Sequence, residues 1–268
     1  MVQEWFTSTR LPYVSFTTDP ACPLQCNCCP WEVFRDASAR LRMPRMLLGD
    51  FKRFLSSIPK HVLIDFSGFG ESLTNPQTPD MVLWAYRQGY RVQIFTTLVG
   101  LTRQGAEKLA QARLEKFMVH LPDKTNFLYD VDKWLAQYAL LDGLKFPTLI
   151  HGGLGDVDEK ILTTVRKRGP VVPIHITDKT GLSREEWLNQ GPTKCRFAGE
   201  RLDQWAIWSN GDVSVCFFDY GHESFIGNLA HQTYAEILGG KELHDYRSRM
   251  RHFAADCLCR HCEEAILR

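Results

Sequence analysis

Six short apolar runs alternate with helical patterns over the first two-thirds of the chain, and this alternation limits the fold more than any other feature. The runs are YVSFTTD (13–19), HVLIDFSG (61–68), RVQIFTTL (91–98), KFMVHLP (116–122), FPTLIHG (146–152) and VPIHITD (172–178). Their length and their β-branched and aromatic content predict strands. Between them, MLLGDFKRFLSSI (46–58), PDMVLWAYRQG (79–89), TRQGAEKLAQA (102–112), VDKWLAQYALL (131–141) and DEKILTTVRKRG (158–169) repeat apolar residues at three- and four-residue spacing, which predicts helices. Thr102 is placed to cap its helix, and Gly169-Pro170 to stop the last one. Strands alternating with helices predict a parallel sheet. Residues 1–180 are therefore expected to form an open or incomplete α/β barrel, because a closed eight-stranded one takes about 250 residues.

The pattern changes after residue 180. TDKTGLSREEWLNQGPT is polar and turn-rich, and marks a boundary. WAIWSNGDVSVCFFDY (205–220) reads as two strands joined at Ser209-Asn210-Gly211-Asp212, with Asn-Gly as a hairpin signal. A helix is expected at about 233–250, ahead of ADCLCRHCEEAILR. A unit over 181–268 is too small for a generous core of its own, and small units of this kind commonly depend on a metal. It holds five of the nine cysteines.

Bulk composition excludes several function classes. Lys+Arg 32 against Asp+Glu 31 leaves a formal charge of +1, and RKR at 166–168 reads as a solvated helix end. Nucleic acid is not an expected partner. MVQEWFTSTR lacks the basic start and apolar stretch of a signal peptide, and no apolar run reaches the length of a membrane span. A cytoplasmic location with reduced thiols is expected, where nine cysteines point to metal or catalysis before disulfides.

PACPLQCNCCPW (20–31) follows the first predicted strand and carries Cys22, Cys26 and Cys29 at C-x3-C-x2-C spacing. Loops at the C-terminal ends of barrel strands are where active sites form. Three thiolates from one short loop can hold three corners of an iron–sulfur cube and leave the fourth iron open, whereas a structural zinc or cluster site closes with a fourth ligand. The second strand then runs into SGFGES, whose glycines let backbone groups approach a ligand closely. A plain Gly-rich turn is the bland reading of that segment. Together these features resemble the radical S-adenosylmethionine superfamily, and the resemblance implies a partial (β/α)6-type TIM barrel. In that family the open iron chelates S-adenosylmethionine, whose reductive cleavage gives a 5′-deoxyadenosyl radical. The resemblance carries cluster binding to Cys22, Cys26 and Cys29, and cofactor binding to Gly68, Gly70 and Glu71. Glu71 would receive the cofactor's ammonium. Thr97, with Thr96, ends the third strand where it could meet the cofactor. Two positions depart from the family pattern: Ser72 stands where Pro is common, and Cys28 where an aromatic residue is common. Cys28 reads as a packed thiol, an alternative ligand or a functional thiol; Trp31 could replace the aromatic surface.

Downstream, Cys195, Gly211 and Cys216 are followed after a long gap by Cys257, Cys259 and Cys262. With FIGNLAHQTYAEIL (225–238), read as a Gly-Asn turn and a helix, this order resembles the C-terminal auxiliary-cluster extension called SPASM, or twitch in its short form. The chain ends six residues after Cys262, which fits the single-cluster twitch form. The resemblance implies a small C-terminal α+β iron–sulfur domain, hairpin plus helix, over 181–268. It assigns Cys195, Cys216, Cys259 and Cys262 to one 4Fe–4S cluster, with Cys257 as an alternative to Cys259. Four thiolates including a C-x2-C pair would also suit structural zinc.

Three consecutive strands end in an apolar run followed by histidine: His120, His151 and His175. At a barrel rim such groups can take a proton or bind substrate hydroxyls, while the bland reading makes each a cap or a loop contact. Asp178 and Arg196 are further polar candidates at the domain junction. The resemblance implies two 4Fe–4S clusters, S-adenosylmethionine and an external electron donor such as flavodoxin or ferredoxin. It is similar to the aminocyclitol dehydrogenases, which implies oxidation of a small polar sugar- or cyclitol-like alcohol. The first strand begins near residue 13, leaving no room ahead of it for a peptide-recognition domain. A peptide-modifying maturase forming a crosslink or epimerising a residue, a nucleotide- or sugar-modifying enzyme, and a zinc-stabilised binding protein remain as alternatives.

Overall fold

The computed structural model describes residues 12–24, 26–27, 29–125, 127, 129–174, 191–252 and 257–267. Strands β1 (Tyr13–Phe16), β2 (Leu63–Phe66), β3 (Val92–Thr96), β4 (Lys116–His120), β5 (Leu149–Gly153) and β6 (Val171–Pro173) lie in the expected runs. The remainder of the sixth run, with His175 and Asp178, lies outside the described residues. Helix α1 (Trp31–Arg40) follows the cysteine loop and was not foreseen. Helices α2 (Leu48–Leu55), α3 (Thr78–Arg87), α4 (Arg103–Leu109), α5 (Val131–Tyr138) and α6 (Glu159–Val165) match the helical patterns. Thr102 caps α4 as expected, its hydroxyl accepting from the Gly105 amide.

Strands β1 to β6 pair in sequence order, all parallel. Among the described residues the sheet has two open edges, so the barrel is partial, as the strand count implies. Strand β7 (Thr193–Cys195) pairs with β11 (Ala265–Leu267) in a separate antiparallel ribbon. Strand β8 (Gln204–Ile207) runs parallel to β1 on its other edge, and β9 (Asp212–Ser214) and β10 (Phe225–Asn228) extend the same sheet antiparallel. The predicted turn joins β8 to β9, with Gly211 at φ +90°.

Three details of the second unit differ from expectation. FIGN forms β10 instead of a turn, and Cys216 lies past the end of β9. The single expected helix is two, α7 (Tyr234–Leu238) and α8 (Lys241–Arg251), interrupted at Gly239-Gly240. The core shortage is met by sharing: Trp205, Ile207, Val213, Ile226, Ile237 and Tyr246 join the cluster that holds Val14 and Phe16 of β1. No helix among the described residues is long and apolar enough to cross a membrane.

Strand parity sorts the two faces of the sheet. Val14, Phe16, Ile64, Phe66, Val92, Ile94, Phe117, Val119 and Leu149 pack in one core with Phe51, Met81, Leu109, Trp134 and Ile161 of the helices. His151 shares the parity of Leu149 and is 0% exposed. Its Nε2 lies 2.9 Å from the Tyr138 hydroxyl and its Nδ1 3.2 Å from the Pro170 carbonyl. Burial pushes its pKa down to about 4. The unfolded chain therefore binds more protons than the folded one between pH 6.5 and about 4, so stability present above pH 6.5 is lost on acidification through this window. The expected loss from this group between pH 7 and pH 5 is about 2 kcal/mol. Denaturation midpoints of His151→Gln should fall less over that interval than those of the native chain.

Candidate active site and auxiliary cluster site

The cysteine loop leaves the C-terminal end of β1 and is framed on both sides. The Asp19 carboxylate is buried, accepts from the Ala21 amide at 3.1 Å, and pairs with Arg45 at 2.9 Å. At the far side, the Asn27 side chain donates to the Thr125 carbonyl at 2.6 Å, tying the loop to the connection after β4. Cys22, Cys26 and Cys29 form no disulfide, and the Cys29 amide donates to the Cys26 carbonyl at 3.0 Å. Burial pushes the Cys22 thiol up to about 11. Cys28 lies outside the described residues. Trp31 is the first residue of α1, with the Arg35 guanidinium 4.7 Å from its ring centre.

The SGFGES segment packs directly against this loop. Gly70 has φ +79°, and a Cβ there would come 3.6 Å from Cys22 Cβ and 3.3 Å from both the Asp19 carbonyl and the Phe34 ring. Gly68 has a different reason to be glycine: a Cβ would sit 2.6 Å from Phe16 and Thr17 backbone atoms. The end of β2 thus lies on the backbone following β1. Gly68→Ala should cost about 2–3 kcal/mol and lower the melting temperature by roughly 5 °C or more, since backbone has to move. Calorimetry of the variant checks this.

Glu71 joins this segment to the end of β3. Its Oε1 accepts from Thr96 Oγ1 at 2.6 Å and from the Leu73 amide at 3.0 Å; its Oε2 accepts from the Thr97 amide and hydroxyl at 2.6 Å. Burial raises its pKa, and these four donors work against that shift. Gly70 and Glu71 therefore stand beside Cys22, and Glu71 ties Thr97 to the same segment. Phe69 locks the same segment to the second unit, its ring 4.4 Å from that of Trp208 after β8 and 4.9 Å from that of Tyr220.

The face of the sheet turned away from the helices carries a polar row that sequence reasoning missed. The register places Ala206, Ser15, Asp65, Gln93 and Lys116 side by side across β8, β1, β2, β3 and β4. Ser15 donates to Asp65 Oδ2 at 2.7 Å, and Ser67 donates to the same oxygen. The Phe95 ring stands beside this row, 5.7 Å from Lys116 Nζ and 6.2 Å from the His120 ring. Burial lowers the Lys116 pKa, partly offset by Asp65. His120 thus reaches this concave face, while His151 is on the helix side, separated from it by the sheet. The signal was present: Ser15, Asp65, Gln93 and Lys116 are each polar at the same strand parity within a largely apolar run.

Cys195, Cys216, Cys259 and Cys262 line one cavity with about 560 Å³ of empty space, open in part to solvent. Phe197, Phe217, Phe218 and Leu258 supply its apolar walls. Cys257 is not among the lining residues; it is a hydrogen-bonding neighbour of Cys259. The short helical turn Leu258–Arg260 is fixed by the buried Arg260 guanidinium, which donates to the carbonyls of Gly191, Arg249, Met250 and His252. Cys216 is pushed well above its usual range by burial, then by Cys195 and Cys262. Among the described residues no three His, Cys, Asp or Glu side chains form a group that could hold a single metal ion. Thiols spaced around an apolar cavity suit a multi-iron cluster with one cysteine per iron. Arg196 lies beside this cavity, 3.4 Å from Glu264.

Comparison with known proteins agrees with this geometry. Residues 195–263 match the SPASM family, an iron–sulfur cluster-binding domain. No curated protein matches the chain in sequence. The fold is similar to that of BtrN in complex with AdoMet and 2-DOIA, with TM-score 0.65, 17% identity, and coverage of 94% of this chain and 93% of that one. It is also similar to native anSMEcpe with bound AdoMet, with TM-score 0.57, 14% identity, and coverage of 94% and 86%. SuiB of Streptococcus suis bound to S-adenosylmethionine aligns with TM-score 0.55, 13% identity, and coverage of 94% and 69%. The recognition made from the two cysteine groups is borne out in fold and in distal domain: residues 195–263 of this chain match the SPASM iron–sulfur cluster-binding domain, and the whole is similar in fold to these AdoMet-bound structures.

Proposed function

We propose that the chain is a radical S-adenosylmethionine enzyme that oxidises a carbinol of a small polar, sugar- or cyclitol-like substrate, with one auxiliary 4Fe–4S cluster accepting an electron. The observation that carries this reading is the layout along β1. The loop with Cys22, Cys26 and Cys29 leaves its C-terminal end, and Tyr13 at its N-terminal end is an electrostatic neighbour of Cys216, Cys195 and Asp65. Between them lies the polar row through Ser15 and Asp65. A substrate on the concave face would have a thiol group set toward each end.

Cys22, Cys26 and Cys29 would hold the cluster that binds S-adenosylmethionine, and Cys195, Cys216, Cys259 and Cys262 the auxiliary one. When bound and reduced by an external donor such as flavodoxin or ferredoxin, the first cluster supplies the electron that cleaves the cofactor and so provides a hydrogen-atom acceptor. Gly70 keeps a side chain out of the space beside Cys22, and Glu71 with Thr97 fixes the wall there. His120, at the end of β4, is the residue proposed to take the hydroxyl proton on its imidazole. The apolar walls around the distal thiols limit the polar surface that meets the auxiliary site.

The test is isotope transfer. The reconstituted protein is incubated with reductant, S-adenosylmethionine and cyclitols deuterated at the carbinol carbons. Deuterium in 5′-deoxyadenosine with a ketone product supports this reading. Transfer only from a deuterated peptide would replace it with peptide modification. The structure of anSMEcpe with AdoMet and the Cp18Cys peptide shows this same fold with a peptide bound.

A further inference from the structure

A buried carboxylate stands at the floor of the concave face with one oxygen unused. Asp65 is 1% exposed. Its Oδ2 accepts from Ser15 at 2.7 Å and from Ser67, while its Oδ1 has no hydrogen-bond partner within 3.5 Å among the described residues. Burial raises its pKa, and the Gln93 amide beside the carboxyl acts only to lower it. Burial of a polar oxygen without a partner is costly and rare in folded proteins, and the exceptions call for an explanation. Packing does not require an acid here. The cross-strand neighbours in the same register are Ser15 and Gln93, and the residues of opposite parity beside them, Val14, Phe16, Val92 and Ile94, are apolar. Valine or leucine at 65 would complete an ordinary strand buried on both faces.

The surroundings describe what would complete the site. Gln93, Phe95, Lys116 and His120 share the concave face with Asp65, and each is half-buried, so the acid lies beneath a partly open rim. Phe95 supplies a flat apolar wall between Lys116 and His120. Acceptors and donors around an aromatic wall suit a small ring bearing several polar substituents.

We infer that Asp65 is a specificity-determining residue whose Oδ1 accepts a hydrogen bond from an N–H or O–H group of the substrate, selecting an amino- or hydroxyl-substituted carbocycle or sugar. This rests on the concave face being the substrate site. Ser15 and Ser67 act as positioning residues, because they hold Oδ2 and so fix the direction of Oδ1. His120 then faces the ring from β4, four residues along that strand from Lys116.

Equilibrium dialysis of the iron-reconstituted full chain, with S-adenosylmethionine present, tests this with trans-2-aminocyclohexanol and trans-1,2-cyclohexanediol as probes. At least one should bind, and Asp65→Asn should weaken that binding at least about tenfold. Iron content and far-ultraviolet circular dichroism show whether the variant is folded. If it is not, Ser15→Ala is read instead, with a several-fold loss expected. Preference for the amine identifies an amino substituent as the donor, and equal loss for both probes identifies a hydroxyl; either supports the assignment. Failure of both probes to bind the native chain, or unchanged binding by a folded Asp65→Asn, would overturn it. Cofactor cleavage by the same native preparation is scored separately: absent cleavage sinks the radical reading, while the probe results still decide the subsite.

Discussion

Replacing Cys22, Cys26 and Cys29 together with alanine should abolish S-adenosylmethionine cleavage and lower the iron content from about eight to about four per chain. All three thiols come from one loop after β1, so no other element compensates for their loss. The loop is held from outside by Asp19–Arg45 and Asn27–Thr125, and neither contact uses a thiol. The fold should therefore survive, with a change in melting temperature of a few degrees, and the distal iron should stay bound. Iron analysis and chromatography of 5′-deoxyadenosine measure both effects on one sample.

Cys216→Ala should act in the opposite way, removing about four irons from the distal site and destabilising the second unit. Cys216 lies just past β9, whose sheet continues through β8 into β1, and its thiol neighbours Cys195 and Cys262. These three come from separate parts of the chain, so the cluster they would share is a crosslink between the β7–β11 ribbon and the main sheet. Its loss should lower the melting temperature by at least about 10 °C. Cys257→Ala is the control: Cys257 does not line the cavity, and the iron count should hold. Equal iron loss from both variants would reassign the ligand.

Much of this architecture was legible because its signals are local. Alternating apolar runs and helical spacing located β1 to β5 and α2 to α6, and Thr102 marked the start of α4. The cysteine spacings carried the two thiol groups, and the structure brings Cys195, Cys216, Cys259 and Cys262 to a single cavity. Non-local features were less visible. Nothing within QWAI says that it will pair with the free edge of β1, which is how a unit too small for its own core acquires one. FIGN became a strand because β9 offered an edge, which overrode its glycine. The three histidines looked equivalent in sequence, yet one residue of parity separates His151 in the helix layer from the concave face reached by His120. The same parity, read across four strands at once, reveals Ser15, Asp65, Gln93 and Lys116; taken one strand at a time, each is a lone polar residue in an apolar run.

The most direct test of the central claim is one assay. The chain is reconstituted anaerobically with iron and sulfide, reduced with dithionite and supplied with S-adenosylmethionine, and 5′-deoxyadenosine is quantified. Formation of 5′-deoxyadenosine by a protein holding about eight irons is the predicted result. Stoichiometric zinc at the distal cysteines with no cofactor cleavage would contradict the account.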